Sequence, residues 1–173
     1  MKSFKYNSEE NLQTPLYICR YMISMIPDRV TTILDPTPGK GNLIKLLNDR
    51  FIITAPDNFF EWNQQKVDCV IMNPPFTAND TNFNNAPEYV KKLTGSKIVH
   101  YFLFQMMNIS ENIIAIVPWY TIINSKKRTN YIKNFGMISV TNLPRSVFKR
   151  SLIQTCVLQL KKGYQGETIF KQY

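Results

Sequence analysis

The chain has 173 residues, which is enough for one domain with a sizeable hydrophobic core and too few for two. Hydrophobic residues make up 44% and charged residues 19%, which excludes a disordered protein, and no apolar run approaches the roughly 20 residues that span a bilayer. The net charge of +9, from 21 Lys and Arg against 12 Asp and Glu, favours a polyanionic partner.

The cysteines and the single histidine exclude several kinds of site. Cys19, Cys69 and Cys156 are widely spaced and lie within apolar patterns, so we expect buried reduced thiols and neither disulfides nor metal ligands. This predicts a cytoplasmic protein, and the polar residues after Lys2 do not resemble a signal peptide. Because His100 is the only histidine, the sequence offers too few suitable residues to favour a zinc site or a Ser-His-Asp triad. His100 is expected to pack in or beside a helix.

The first predicted element is a helix that follows a polar, extended stretch of residues 1–13. Thr14 fits the N-cap and Pro15 the first helical position, and apolar residues at helical spacing continue to Ile26, just before Pro27. Ordinary capping is sufficient to explain the Thr-Pro pair.

A short buried strand, 30–34, precedes a glycine-containing loop, after which residues from Leu43 to Leu47 show helical spacing. The loop, residues 35–42, reads Asp-Pro-Thr-Pro-Gly-Lys-Gly-Asn. Its glycines allow the backbone to approach a ligand closely, and Asp35 at the strand end can contact polar groups of that ligand. The loop does not match the pattern of a phosphate-binding P-loop. Strand, glycine loop and helix together predict a ligand-binding crevice.

The next strand that the sequence predicts, 50–56, leads to Asp57 and Asn58, which precede the apolar segment 59–62. An Asp-Asn turn before an apolar segment is also a common structural turn.

The apolar run 67–72 predicts a buried strand, and a stiff corner, Asn73-Pro74-Pro75-Phe76, follows it. Two consecutive prolines fix φ at about −65° and remove two N–H donors, so the carbonyl groups of this corner can contact a ligand. Asn73 supplies an amide oxygen, the Asn-Pro peptide carbonyl supplies a second acceptor, and Phe76 supplies a flat apolar ring. Two acceptors beside an aromatic ring fit a planar amine and the base that carries it.

These motifs, in this order, resemble those of the adenine-N6 DNA methyltransferases that use S-adenosylmethionine. The Asn-Pro-Pro-Phe corner is similar to their catalytic motif, which implies that Asn73, Pro74, Pro75 and Phe76 hold the target amine. The loop Asp-Pro-x-x-Gly-x-Gly is similar to their cofactor loop, and Gln13-Thr14-Pro15 to a segment that lies against the cofactor. The resemblance therefore implies cofactor-binding roles for Thr14, Pro15, Asp35, Pro36, Thr37, Gly39, Gly41 and Phe59, and for one of Asp57 and Asn58.

The choice between the last two residues stays open, because the spacing to Asn73 favours Asp57 as the acceptor for the cofactor adenine, whereas the following Phe-Phe-Glu-Trp segment favours Asn58. The region 43–57 also departs from the family, since it is too short for a second strand, its helix and a third strand. We therefore expect this region to be compressed. No acid equivalent to the one that holds the cofactor ribose is evident, which predicts weak cofactor binding.

The rest of the chain continues the alternation of strands and helices. It gives a long Asn- and Thr-rich loop at 77–96 with a helical pattern at 88–93, a helix at 97–107, a strand at 112–117, a basic helix at 125–135, and two last strands at 137–143 and 154–161. Phe148 lies between those last strands, where the family carries an aromatic residue that clamps the target adenine. Basic residues cluster at 91–97, 126–128 and 145–150.

The sequence and the resemblance together predict a three-layer α/β fold of the class I methyltransferase type, Rossmann-like, with a mostly parallel twisted sheet and an antiparallel last hairpin. We expect one catalytic domain over residues 1–173 without a target-recognition domain, so that the 77–96 loop or a partner protein selects the sequence, or selection is poor. The predicted activity is methylation of adenine N6 in DNA. RNA adenine or protein glutamine methylation, or a catalytically degenerate nucleic-acid-binding subunit, are the alternatives.

Overall fold

One mixed β-sheet forms the centre of the molecule. The computed structural model describes residues 13–76, 83, 85–94, 96–148 and 153–173, and seven strands occur within them. The strands are β1 (Thr32–Leu34), β2 (Ile52–Thr54), β3 (Val67–Met72), β4 (Ser110–Pro118), β5 (Met137–Asn142), β6 (Thr155–Lys161) and β7 (Ile169–Gln172). Their order is β2-β1-β3-β4-β6-β5-β7, in which β6 is antiparallel to both neighbours and the other pairs are parallel.

Helices connect the strands. They are α1 (Leu16–Ile23), α2 (Glu88–Lys91), α3 (Ser96–Ile109) and α4 (Lys126–Gly136), with single 3-10 turns at Ile44–Leu46, Trp119–Thr121 and Arg145–Val147. The alternation of strands and helices around a mostly parallel sheet confirms the predicted α/β fold class. None of the helices in the described ranges is long and apolar enough to cross a membrane.

The region between β1 and β3 is compressed, as predicted. It contains β2 as its one strand, and the helix expected after the glycine loop is reduced to the 3-10 turn Ile44–Leu46. The helix prediction was wrong because residues 43–51 are too few to form a helix and still return to the sheet. β2 consequently lies at the edge of the sheet, where Ile52 is 70% exposed.

The other end of the sheet also differs from the sequence prediction. The strands 137–143 and 154–161 were expected to be the last, but β7 adds a further edge strand that pairs in parallel with β5. Its four residues are all exposed. Because none of them is buried, the apolar pattern that reveals core strands is absent there.

The core is built around β3 and β4. From Cys69 to Met72 and from Ile113 to Val117 the side chains are buried on both faces of the sheet, which explains why both strands are continuous apolar runs. Cys19, Cys69 and Cys156 are buried and free, as expected. Burial raises the pKa of Cys19 to about 11 and those of Cys69 and Cys156 to about 12.

Asp68 holds β1 and β3 in register at the end of the sheet where both strands begin. Its Oδ2 accepts hydrogen bonds from the Thr31 amide at 2.9 Å, the Thr31 hydroxyl at 2.8 Å and the Thr32 amide at 2.9 Å. These bonds stabilise the carboxylate and lower the pKa of Asp68. The resulting register pairs Leu34 with Val70, so the segments that follow β1 and β3 emerge side by side.

His100 is buried in α3, as predicted. Its Nδ1 lies 2.5 Å from the Ser96 carbonyl oxygen and its Nε2 lies 3.0 Å from the Thr121 carbonyl oxygen. Burial lowers the pKa of His100 and so favours the neutral ring, which can donate to only one of these two carbonyl oxygens at a time.

Candidate active site

The two main sequence motifs meet at the carboxyl ends of β1 and β3. Because these strands are parallel neighbours, the loop 35–41 and the corner 73–76 leave the sheet at the same edge. The Thr37 hydroxyl donates a hydrogen bond to the Asn73 carbonyl oxygen at 3.3 Å. The glycine loop and the Asn-Pro-Pro-Phe corner are therefore in direct contact.

A cavity of about 260 Å³ opens between these segments. It is lined by the loop 36–39, by the corner 73–76 and by Phe148 from the segment after β5. Four phenylalanine rings that contact one another, Phe59, Phe60, Phe83 and Phe102, also line it. A concave site with an aromatic lining and a few polar groups is typical of a small-molecule or base pocket.

A second cavity of about 50 Å³ lies beside the first. It shares with the larger cavity five lining residues, Gln13, Thr37, Pro38, Gly39 and Asn73. Its other walls are formed by Thr14, Asp35, Asn42 and Leu43. Asn73 therefore separates an acidic, polar recess from an aromatic chamber.

Thr14 sets the orientation of the Asn73 side chain. The Asn73 Nδ2 donates to the Thr14 Oγ1 at 3.2 Å, and the Asn73 Oδ1 therefore points away from Thr14. The expected N-cap role of Thr14 was wrong, because α1 begins at Leu16 with Pro15 as its N-cap and has no side-chain cap. The Thr14 hydroxyl, which is buried, instead connects the start of α1 to the corner after β3.

Asp35 is a buried carboxyl group with an unusual protonation equilibrium. It is 1% exposed, and burial raises its pKa to about 7, although the Thr37 amide donates to its Oδ1 at 3.1 Å and opposes the shift. A buried carboxylate is stabilised by any cation that approaches it. The small cavity consequently favours a ligand with a positive charge.

The two glycines of the loop have different functions. Gly39 and Gly41 have φ of 53° and 75°, in the left-handed region that favours glycine. A Cβ at Gly39 would lie 2.9 Å from the Gln13 Nε2, whereas a Cβ at Gly41 would have no neighbour within 4 Å. Gly39 therefore allows close packing on Gln13, whose Oε1 accepts from the Lys40 amide at 3.1 Å, and Gly41 only forms the turn.

The structure also separates Asp57 from Asn58. Asp57 lines the large cavity. The Asn58 Oδ1 accepts from the Phe60 amide at 3.0 Å, which is a local turn, and Asn58 lines neither cavity. Phe59 is buried and lies 4.8 Å from Phe102, centroid to centroid.

Most of the residues singled out in the sequence come together at this site. The large cavity is lined by Pro36, Thr37, Gly39, Asp57, Phe59, Asn73, Pro74, Pro75, Phe76 and Phe148, and the small cavity adds Thr14 and Asp35. Pro15, Gly41 and Asn58 line neither cavity. Lys149 and Arg150 lie outside the described residues, as does part of the expected binding loop at 77–96.

Several lining residues were not expected from the sequence. They are Pro38, Pro56, Phe60, Phe83 and Phe102. Phe83 stands alone in a polar stretch, and an isolated aromatic residue of that kind is a signal for a buried anchor. Phe102 belongs to α3 and comes to the cavity only through the packing of α3 on the sheet, which the sequence does not display.

Comparison with known proteins agrees with this geometry. The sequence model of the Eco57I restriction-modification methylase family matches residues 5–148. No curated protein sequence matches the chain significantly. Among solved structures, a protein from Listeria monocytogenes that is described as a class I S-adenosylmethionine-dependent methyltransferase is similar, with a TM-score of 0.69 and 20% identity over 96% of this chain and 68% of that chain.

Two type I restriction-modification proteins are also similar. A modification subunit from Vibrio vulnificus gives a TM-score of 0.66 and 18% identity over 96% of this chain, and a methyltransferase subunit from Streptococcus thermophilus gives 0.65 and 19% over 94%. The chain spans 48% and 47% of the length of these subunits. At such identities the structures establish the fold, and the family match over residues 5–148 establishes the relationship. The chain belongs to the Eco57I restriction-modification methylase family.

Proposed function

We propose that this protein transfers a methyl group from S-adenosylmethionine to the exocyclic amine, N6, of adenine in DNA. The observation that carries the proposal is the orientation of Asn73 by Thr14 at the junction of an acidic recess and an aromatic chamber. The recess suits a cationic cofactor, and the chamber suits a planar base. Membership of a restriction-modification methylase family favours DNA over RNA or protein as the substrate.

The residues of the two cavities fit S-adenosylmethionine. Its sulfonium and ammonium groups are cations that complement the buried carboxyl of Asp35. The absence of a side chain at Gly39 leaves the backbone close to Gln13 and open to a ligand on the cavity side. Asp57 provides an acceptor for the amine of the cofactor adenine, and Phe59 provides an apolar surface for its ring.

The corner 73–76 holds the amine that is methylated. The Asn73 Oδ1 and the Pro74 carbonyl accept its hydrogens and raise the electron density on the nitrogen. The Asn73 carbonyl, which is the Asn-Pro peptide carbonyl expected from the sequence to be the second acceptor, already accepts from the Thr37 hydroxyl, so we assign that role to the Pro74 carbonyl. When bound, S-adenosylmethionine would supply an electrophilic methyl carbon, so that an N–C bond would form as a C–S bond breaks and the amine would release one proton.

Phe76 and Phe148 hold the base itself. Both are buried and both line the large cavity. Because N6 is paired inside a duplex, the target base must leave the stack before it can reach the Asn73 corner. The site lowers the barrier by positioning and by electrostatic complementarity, which do not require a strong general base.

The test is transfer of a tritiated methyl group to adenine-containing DNA, with RNA as the comparison, and identification of N6-methyladenine after nuclease digestion. Asn73→Ala should lower the rate by about 10²–10³-fold, as is typical when one preorganised hydrogen-bonding group is lost, with S-adenosylmethionine binding nearly intact. Phe76→Ala should weaken base binding, whereas Phe76→Trp keeps a stacking ring. Asn108→Ala, an exposed position in α3, is the matched control.

A folded Asn73→Ala variant as active as the wild type would refute the proposed catalytic role of the corner. Methylation of RNA but not of DNA would refute the substrate.

The compressed region between β1 and β3 favours a second candidate, a non-catalytic nucleic-acid-binding subunit. Isothermal titration with S-adenosylmethionine separates the two functions. No binding by the folded wild-type protein, together with DNA binding, would support this candidate over catalysis.

A further inference from the structure

A groove runs between α3 and α4 on the outside of the molecule, separate from the two cavities described above. Its volume is about 410 Å³, and Lys97, Tyr101, Phe104, Lys127, Arg128 and Tyr131 are among its lining residues. The Arg128 Nη1 donates to the Ser96 Oγ at 2.9 Å, and the rings of Phe104 and Tyr131 lie 4.4 Å apart. These contacts hold the two walls together, so we name this feature the α3–α4 groove.

The groove opens near the carboxyl ends of the strands, where the candidate active site also lies. α3 begins after the chain has left the carboxyl end of β3, and α4 begins after the carboxyl end of β4. The contact between Arg128 and Ser96 joins the amino-terminal ends of both helices at the groove. The groove and the Asn73 corner are therefore on the same side of the molecule.

The charges around the groove favour an anionic occupant. The described residues that line it include three cations, Lys97, Lys127 and Arg128, and no carboxylate. The first turn of α4 carries Lys126, Lys127 and Arg128 without an acidic residue, although the helix dipole favours negative charge at that end. Cations placed against the helix dipole are compensated when a polyanion binds beside them.

The floor of the groove is aromatic. Tyr131 is 49% exposed beside Phe104. On the α3 side of the groove, Tyr101 is stacked on Phe60 with a centroid distance of 6.3 Å and an interplanar angle of 24°. Phe60 also lines the catalytic cavity, so this ring contact joins a residue of the groove to a residue of the cavity. An exposed ring such as that of Tyr131, beside half-buried rings and cations, is typical of surfaces that bind single-stranded nucleic acid.

We propose that the α3–α4 groove binds an unpaired stretch of the nucleic-acid substrate outside the catalytic cavity. Lys97 and Lys127 contact its phosphates, and Tyr131 stacks on one of its bases. This inference deepens the proposed function and rests on it, because it assigns a second contact to the same substrate.

The test measures fluorescence anisotropy of the whole chain with a labelled single-stranded oligothymidine and with a labelled duplex. Oligothymidine carries no exocyclic amine, so it cannot make the hydrogen bonds that the Asn73 corner offers to the target base. Lys97→Gln combined with Lys127→Gln should lower the slope of log affinity against log salt by about 1.4 for the single strand, since two phosphate contacts are lost.

Tyr131→Ala should weaken the single strand roughly five- to hundredfold and the duplex little, because only an unpaired base can stack on the ring. Tyr131→Trp should retain the affinity. Lys161→Gln combined with Lys162→Gln is the matched control, since both lysines are exposed and Lys161 ends β6 at the opposite edge of the sheet. This control should change the slope much less than the groove variant.

Equal losses in the groove variant and its control would show non-specific charge attraction and overturn the proposal, as would unchanged binding in Tyr131→Ala. A labelled peptide of Glu and Leu that binds the wild type and is lost in the groove variants, with oligothymidine unaffected, would overturn it in favour of an acidic protein partner. A protein that binds oligothymidine through the groove but neither binds S-adenosylmethionine nor transfers methyl groups would contradict the proposed function alone. An active enzyme without groove-dependent binding would contradict the groove alone.

Discussion

Asp35→Asn should change stability in opposite directions at low and high pH. In the folded protein burial raises the pKa of Asp35 from an ordinary value of 3.8 to about 7. As the pH rises from about 4 to 7, the unfolded chain loses its proton while the folded chain keeps it, so the folded state loses stability. At about 1.4 kcal/mol for each unit, the ionised carboxylate costs about 4 kcal/mol above pH 7.

The asparagine removes this cost but adds a smaller one. Its amide oxygen can still accept from the Thr37 amide, whereas its new NH2 group enters a buried site and costs about 1–3 kcal/mol if it lacks an acceptor. We therefore expect Asp35→Asn to be roughly 1–3 kcal/mol more stable than the wild type at about pH 8. At about pH 4, where the wild-type carboxyl is neutral in the folded state, the variant should be less stable by a similar amount.

The measurement is urea unfolding followed by circular dichroism across this pH range, with Asp28→Asn, an exposed position, as the control. A difference between Asp35→Asn and the wild type that does not vary with pH would refute the assignment of a raised pKa to Asp35. Isothermal titration with S-adenosylmethionine completes the test, since the variant should bind the cationic cofactor more weakly at pH 8 although it is more stable. A gain in both stability and affinity would contradict the role of Asp35 in the recess.

Three further pairs of substitutions test individual contacts. Thr14→Val should lower the methyl-transfer rate about tenfold or more, because the Asn73 Nδ2 loses its acceptor. Thr14→Ser keeps a hydroxyl and should stay near the wild-type rate. Equal rates in both variants would contradict the positioning role of Thr14. Gly39→Ala and Gly41→Ala should each lose about 1–2 kcal/mol of stability, because both residues have a left-handed backbone. Isothermal titration should show weaker cofactor binding for Gly39→Ala alone, since only its Cβ would contact Gln13. Gly136→Ala should unfold at a much lower urea concentration than Gly163→Ala. A Cβ at Gly136 would lie 2.1 Å from the Lys161 carbonyl oxygen, whereas a Cβ at Gly163 would have no neighbour within 4 Å. Similar unfolding midpoints for the two variants would refute this reasoning.

Much of this protein could be predicted from its sequence, because the features concerned are local. The apolar runs of β3 and β4 predict buried strands wherever they occur in a fold, and the Asn-Pro-Pro-Phe corner is stiff because of its own prolines. The order of the glycine loop and this corner was sufficient to indicate a family. The shortage of residues between Leu43 and Asp57 was sufficient to predict a compressed region, because chain length is also a local property.

What only the tertiary structure decided depends on contacts between distant segments. The pattern around Thr14 matches an N-cap, but its hydroxyl bonds to Asn73, 59 residues away, and no local signal records that choice. Asp57 and Asn58 are equivalent in the sequence until the Phe60 amide engages one of them. β7 is a strand because the edge of β5 is available to it, and Phe102 lines the cavity because α3 packs there. Pairing partners, cavity walls and the raised pKa of Asp35 arise from burial by the whole fold, which no short stretch of sequence contains.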